Sequence, residues 1–144
     1  PYTTLFRSAQ RPRVAFRPPA PGECRVRGLE GHLTQIFHNL IGNALSFSPP
    51  GGGVEVAARR DRNWVVVTVA DQGPGIPPGK EEAIFQRFYS ERPVGEAFGR
   101  HSGLGLSIAR RVAEMHNGEI VAENLLDANG EICGALFTVR LPRA

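Results

Sequence analysis

The sequence predicts an α/β fold, a two-layer sandwich in which a mixed sheet is covered on one face by helices. Three features of the chain point to it. Val54 to Arg60 and Trp64 to Ala70 are strand-like runs on either side of a short polar turn, the pattern of a hairpin. Leu29 to Phe47 and Leu104 to His116 place apolar residues at three- and four-residue steps, the pattern of amphipathic helices. Glu119 to Asn124 and Ala135 to Leu141 form a second strand pair near the end of the chain. Helices that alternate with antiparallel hairpins bury their apolar stripes against one face of a sheet.

In order, Pro1 to Ser8 fits no element. It is also what one reading frame of a common sequencing-library adapter would encode, so these residues are set aside as an expected artefact. The expected domain runs over residues 9–144, with the genuine chain starting near Ala9 as a fragment of a longer protein. Arg13 to Arg17 and Cys24 to Arg27 read as short strands around the Pro18 to Gly22 turn. The first helix follows, with Leu33, Ile36, Phe37, Leu40, Ile41, Ala44 and Leu45 on its apolar stripe. Ser48 to Gly53 stops it. After the first hairpin, turned at Asp61 to Asn63, Glu81 to Arg87 reads as a short helix and Ser90 to Ser102 as a long loop. A loop of that length in a compact domain is usually functional. The second helix closes at Asn117-Gly118, a left-handed cap. The last two strands turn around Asp127 to Gly130.

With 144 residues the chain can build one domain with a real core. No run approaches the roughly 20 apolar residues of a membrane helix. The formal charge of +3 comes with sixteen arginines and one lysine, Lys80. Aromatic residues are sparse, so a nucleic-acid stripe is not expected. Cys24 and Cys133 are far apart and lack metal-ligand spacing, which fits reduced thiols better than a disulfide framework.

Three stretches carry candidate chemistry. The first is Asp71-Gln72-Gly73-Pro74-Gly75-Ile76-Pro77, directly after the most strand-like run. A carboxylate at a strand end accepts hydrogen bonds and suits a ligand amino group. Glycines without Cβ let a flat ligand approach the backbone. The plain alternative is an Asp-Gly turn that only reverses the chain. The second is Asn39 and Asn43, four apart on one helical face with Gln35 and Phe47. Amides beside an apolar stripe are costly unless paired. They either cap a neighbouring loop or offer oxygen to a phosphate-bound magnesium, which keeps several waters and needs few protein ligands. The third is Ser102-Gly103-Leu104-Gly105-Leu106-Ser107 at the start of the second helix, where free backbone N–H groups and the helix dipole attract anions.

Together these stretches resemble the boxes of the GHKL ATPase superfamily. Asn39-Leu40-Ile41-Gly42-Asn43-Ala44 resembles its N box and Asp71-Gln72-Gly73-Pro74-Gly75-Ile76 its G1 box. Ile84-Phe85-Gln86-Arg87-Phe88-Tyr89 resembles its F box and Gly103-Leu104-Gly105-Leu106 its G2 box. All four stand in the expected order from about Arg13 to Arg143. The resemblance implies the Bergerat ATP-binding fold and the catalytic domain of a bacterial two-component sensor histidine kinase. It implies ATP and Mg²⁺ as cofactors. Asp71 would accept from the adenine amino group, with Gly73, Gly75, Ile76 and Tyr89 around the nucleotide. Asn43 would hold the magnesium, with Asn39 beside it near the phosphates. Residues 88–102 would form a mobile lid, and the N–H groups of Gly103, Leu104, Gly105 and Leu106 would cradle the phosphates. The hydrolytic members carry glutamate where Asn39 stands. An amide cannot act as a general base toward water, so Asn39 favours transfer to a protein acceptor.

Two positions depart from the common kinase pattern: Ser46 stands where lysine is frequent, and Ser90 where arginine is frequent. Arg87, Arg92 and Arg100 could supply the missing charge, so Asn39, Arg87 and Arg92 are the catalytic candidates. The two serines leave open an alternative, a nucleotide-binding regulatory module without phosphotransfer. The stretches around Ser46, Ser90 and Gly103 also resemble the ChvG/ExoS-type envelope sensors of alphaproteobacteria. None of His32, His38, His101 and His116 sits in a separate dimerisation helix followed by an acid. The acceptor is expected on a dimerisation and phosphotransfer domain outside this chain, with a response regulator as indirect partner. The resemblance implies a cytoplasmic domain with no membrane contact of its own, in a parent anchored in the inner membrane.

Overall fold

The computed structural model describes residues 14–87, 89 and 105–144. Its elements are β1 (Val14–Arg17), α1 (Glu30–Phe47), β2 (Val54–Asp61), β3 (Trp64–Ala70), a 3₁₀ turn (Ala83–Phe85), α2 (Gly105–Met115), β4 (Glu119–Leu126) and β5 (Ile132–Pro142). They form one five-stranded sheet in the order β1-β2-β3-β5-β4. β1 runs parallel to β2 and every other pair is antiparallel, so the sheet is mixed as expected.

Alternation along each strand sorts the two faces. One row of paired residues runs Val56, Val69, Phe137, Ala122; the next runs Ala58, Val67, Val139, Ile120. These rows belong to the hydrophobic core with Ile36, Leu40 and Ala44 of α1 and Ala109, Val112 and Ala113 of α2. α1 and α2 pack on each other and on this face. An isolated hairpin is marginal in water. Fully burying one Val, Leu or Ile side chain is worth about 1.5–3 kcal/mol, so the helix layer is what stabilises the hairpins. The opposite face is polar, with an Arg17–Glu55 ion pair at 3.1 Å and Arg140 over the Trp64 ring at 5.1 Å.

Two expected elements differ. Cys24 to Arg27 forms no strand; it makes a single antiparallel bridge, Val26 to Arg143 just past the end of β5, and the Ala144 N–H donates to the Arg25 carbonyl at 2.7 Å. The pairing stops at one bridge because β5 itself ends at Pro142. Glu81 to Arg87 yields only the 3₁₀ turn. It follows Pro77-Pro78-Gly79, has no side-chain cap and is too short to nucleate an α-helix by itself. Ile84 and Phe85 still anchor the turn in the core, Phe85 lying edge-on to Phe137 with centroids 6.1 Å apart. Arg110 of α2 lies over the Phe85 ring at 4.4 Å and donates to Glu82 at 2.7 and 3.1 Å. That hydrogen bond and charge hold the Glu82 carboxyl below its ordinary value.

The cap of α2 is as expected. Asn117 has φ 61°, and the Gly118 N–H donates to the Ala113 carbonyl at 2.8 Å. The β4–β5 hairpin is longer than the sequence pattern suggests, reaching Leu126 and starting again at Ile132. With Asn124 of β4, the added Ile132 and Gly134 of β5 lie against the turn that follows β3.

Candidate functional site

The site is measured out along α1. Asn39, Asn43 and Phe47 are four residues apart, so they share a face and span about 12 Å of axis. At its C-terminal end, α1 abuts the turn after β3. A Cβ on Gly73 would stand 2.9 Å from the Phe47 carbonyl oxygen, so only glycine fits there. The Gln72 N–H donates to the Ser48 hydroxyl at 3.3 Å. Two helical turns earlier, the Asn39 amide nitrogen donates to the Gly105 carbonyl at 3.0 Å, joining α1 to the first turn of α2.

Asp71 lies at the end of β3, 5% exposed. Its Oδ1 accepts from the Gly73 N–H at 2.9 Å and from the Ala135 N–H at 3.1 Å. Burial pushes the carboxyl above its ordinary value, while the two N–H bonds pull the other way. This close seat needs Gly134, where any Cβ would run into the Asp71 carbonyl. The acid is thereby aimed by backbone groups of β5 and of its own turn.

The other end of the turn is held by β4. The Ile76 N–H donates to Asn124 Oδ1 at 2.6 Å, and Asn124 Nδ2 donates to the Ile76 carbonyl at 2.8 Å. Gly75 has φ +81°, and a Cβ there would meet Ile132 and Asn124. Ile76 is buried in the core.

The sequence candidates fall as follows. Asp71, Gly73, Gly75 and Ile76 form one rigid turn against β4–β5. Asn39 and Asn43 are half-buried on α1, and Asn39 contacts Gly105. Asn39 therefore pairs with a neighbouring element, and its nitrogen being engaged leaves the amide oxygen as the group able to meet a cation. Leu106 and Tyr89 are half-buried and pack against the core. Arg87 is exposed. Arg92, Gly103, Leu104 and the expected lid lie outside the described residues.

The donor set tests the expected magnesium. Among the described residues no group of three or more His, Cys, Asp or Glu could hold a metal ion. A magnesium here fits only as a phosphate-bound ion with one or two amide oxygens and waters, which Asn43 and Asn39 Oδ1 could supply.

Sequence reasoning missed Ser48, Asn124, Ile132 and Gly134. A lone glycine inside a strand signals close backbone approach, but the sequence pattern starts the last strand at Ala135 and leaves Gly134 in the turn before it. Asn124 carried no such signal, because an amide near a strand end reads as solvated.

The mixed sheet, its helix layer and this turn packed against the end of α1 define an α/β sandwich of the GHKL ATPase type. Residues 28–144 match the family of histidine kinase-, DNA gyrase B- and HSP90-like ATPases, and the chain belongs to that family. It is 48% identical over 120 residues to the sensor protein ChvG of Agrobacterium fabrum, covering 83% of this chain and 20% of that protein. The chain thus spans about a fifth of the curated relatives it resembles. Among solved structures, the mycobacterial sensor histidine kinase MprB superposes with a TM-score of 0.77 at 28% identity, over 97% of this chain and 90% of that one. Full-length ShkA in complex with AMPPNP gives 0.75 at 27% identity, over 100% of this chain and 30% of that one. The chain corresponds to the catalytic ATPase-family part of sensor histidine kinases.

Proposed function

We propose that this domain binds Mg-ATP along α1 and donates the γ-phosphate to a histidine on a dimerisation domain of its parent kinase. The observation that carries the reading is Asp71, a buried carboxylate at the end of β3 whose Oδ1 is held by two backbone N–H groups. It would accept from the adenine amino group. The triphosphate would then run toward Asn43, Asn39 and the N-terminus of α2, where the helix dipole favours anions. Bound magnesium would supply charge neutralisation between the phosphates. Asn43 and Asn39 would offer it amide oxygen, and Arg87 and Arg92 would add positive charge. Catalysis in this reading is positioning and electrostatic stabilisation. The parent would be a membrane-anchored sensor acting on a response regulator, with this domain on the cytoplasmic side; none of the described helices is long and apolar enough to cross a membrane.

The test is calorimetric titration of the chain with a non-hydrolysable ATP analogue, with and without Mg²⁺, followed by a transfer assay with a supplied dimerisation domain. Mg-dependent binding and a phosphohistidine product are expected. A folded chain that binds no nucleotide would overturn the reading, and binding without transfer would favour a regulatory module in which Ser46 and Ser90 matter.

A further inference from the structure

We infer that Asn124 is a positioning residue for purine recognition: its side-chain amide, bonded to both polar groups of Ile76, sets where the Gly73–Ile76 backbone lies relative to the Asp71 carboxylate. The inference rests on the nucleotide reading above and adds a specificity determinant to it.

Asn124 lies 48 residues from Ile76 in sequence, yet its amide stands in for a backbone partner. Oδ1 takes the Ile76 N–H at 2.6 Å and Nδ2 gives to the Ile76 carbonyl at 2.8 Å. The amide does both through separate atoms, which a carboxylate of the same shape cannot, since it only accepts. Asp71 and Ile76 are the two ends of one short turn. Asp71 is fixed to β5 through Ala135, and Ile76 is fixed to β4 through Asn124. β4 and β5 are themselves paired, Asn124 opposite Ala135. The two anchors therefore sit side by side on one hairpin, and the glycines between them lie at a set height above it. A flat base that gives an amino proton to Asp71 rests against that backbone, so the anchor spacing sets whether both contacts form together. Gly75 has no Cβ and a positive φ, and so cannot hold the turn by itself.

The experiment compares the unaltered chain with Asn124→Leu and Asn124→Asp. Asn124→Leu keeps the branched four-atom side chain and loses both bonds. Asn124→Asp keeps shape and the acceptor but sets an oxygen against the Ile76 carbonyl. Adenosine and inosine are the calorimetric probes; neither carries phosphate, so the charge of the Asp variant does not bias them through the triphosphate. Backbone amide exchange at Ile76 is followed in the unliganded protein.

Both variants are expected to lose adenosine affinity by about five- to thirtyfold, the span set by one to two net hydrogen bonds. Their preference for adenosine over inosine should shrink toward unity. Exchange at Ile76 should quicken in the Leu variant and stay slow in the Asp variant. If Asn124→Asp binds adenosine as the parent does, shape alone suffices and the inference is overturned. It is equally overturned if Asn124→Leu exchanges faster at Ile76 yet keeps its affinity and purine preference. If the folded parent binds neither adenosine nor ATP, the nucleotide reading itself fails, a result distinct from an unchanged variant.

Discussion

Replacing Asp71 by asparagine separates the fold's demand on this residue from the ligand's. The asparagine oxygen can still accept from the Gly73 and Ala135 N–H groups, which now lie 2.9 and 3.1 Å from Oδ1. What changes is the second oxygen, replaced by an NH₂. Two charge-assisted bonds become neutral, which costs stability, while an unfavourable buried charge disappears, which restores it. The net change in folding free energy is expected within about 1 kcal/mol. A purine amino group would meet a donor instead of an acceptor. One lost bond to a charged group, with a buried donor left unpaired, costs about 2–4 kcal/mol, or about 30- to 700-fold in affinity. Calorimetry with an ATP analogue reads the second quantity and urea unfolding the first. The pH dependence has a definite sign. The folded carboxyl titrates above its unfolded value because burial disfavours its charge. Its contribution to stability is fully present below the unfolded pKa and is lost as pH rises through the folded one. The parent should therefore gain stability relative to Asp71→Asn as pH falls from neutral through the carboxylate range. Its nucleotide affinity should weaken over the same interval, beginning at a higher pH than for an ordinary aspartate. Unchanged nucleotide affinity in the variant at neutral pH would refute the adenine role of Asp71.

Asn43→Ala should abolish the Mg-dependent increment of ATP-analogue binding and leave binding in chelator unaltered; equal increments in both proteins would remove Asn43 from the metal site. Asn39→Asp loses the donor to the Gly105 carbonyl and sets a carboxylate oxygen against it. About 1–3 kcal/mol of stability should be lost in urea unfolding, and parent-like stability would show that this junction does not hold α1 to α2. Phe137→Ala empties a position 2% exposed beneath Phe85 and should cost about 3–5 kcal/mol; a loss below about 1 kcal/mol in the same assay would contradict its place in the core.

The elements with strong periodicity were readable from sequence. α1, the β2–β3 hairpin and the cap at Asn117-Gly118 follow from local pattern, because their stripes and turns encode the faces they bury. That Cys24 to Arg27 makes only one bridge was not readable. Its apolar alternation fits a strand, and how far it pairs depends on how far β5 extends beside it. Glu81 to Arg87 has good helix formers, yet it is short and uncapped, so only one 3₁₀ turn forms, with Ile84 and Phe85 docked in the core. At the proposed site, the candidate residues rest on chemistry that is local in sequence: an acid at a strand end, glycines, and amides one helical turn apart. The residues that aim them were not. Ser48, Asn124 and Gly134 act across 24, 48 and 63 residues of sequence, and such pairings arise only once the sheet is assembled.

This division also bears on how the proposed site would work. Its purine end is held from three sides: Ser48 after α1 bonds Gln72, Ala135 of β5 bonds Asp71, and Asn124 of β4 bonds Ile76. Each support comes from a regular element or its immediate end, so the turn inherits the rigidity of the core. The phosphate end is built differently. There the Asn39 amide meets the first turn of α2, next to residues that the sequence predicts to be a loop. A transfer reaction needs this asymmetry. The base must stay in register while the terminal phosphate changes partner, so the fixed contacts belong at the base and the adjustable ones at the phosphates. In the proposed site Asn39 would stand between the two regimes: its amide nitrogen ties α1 to α2, and its oxygen would face the phosphates.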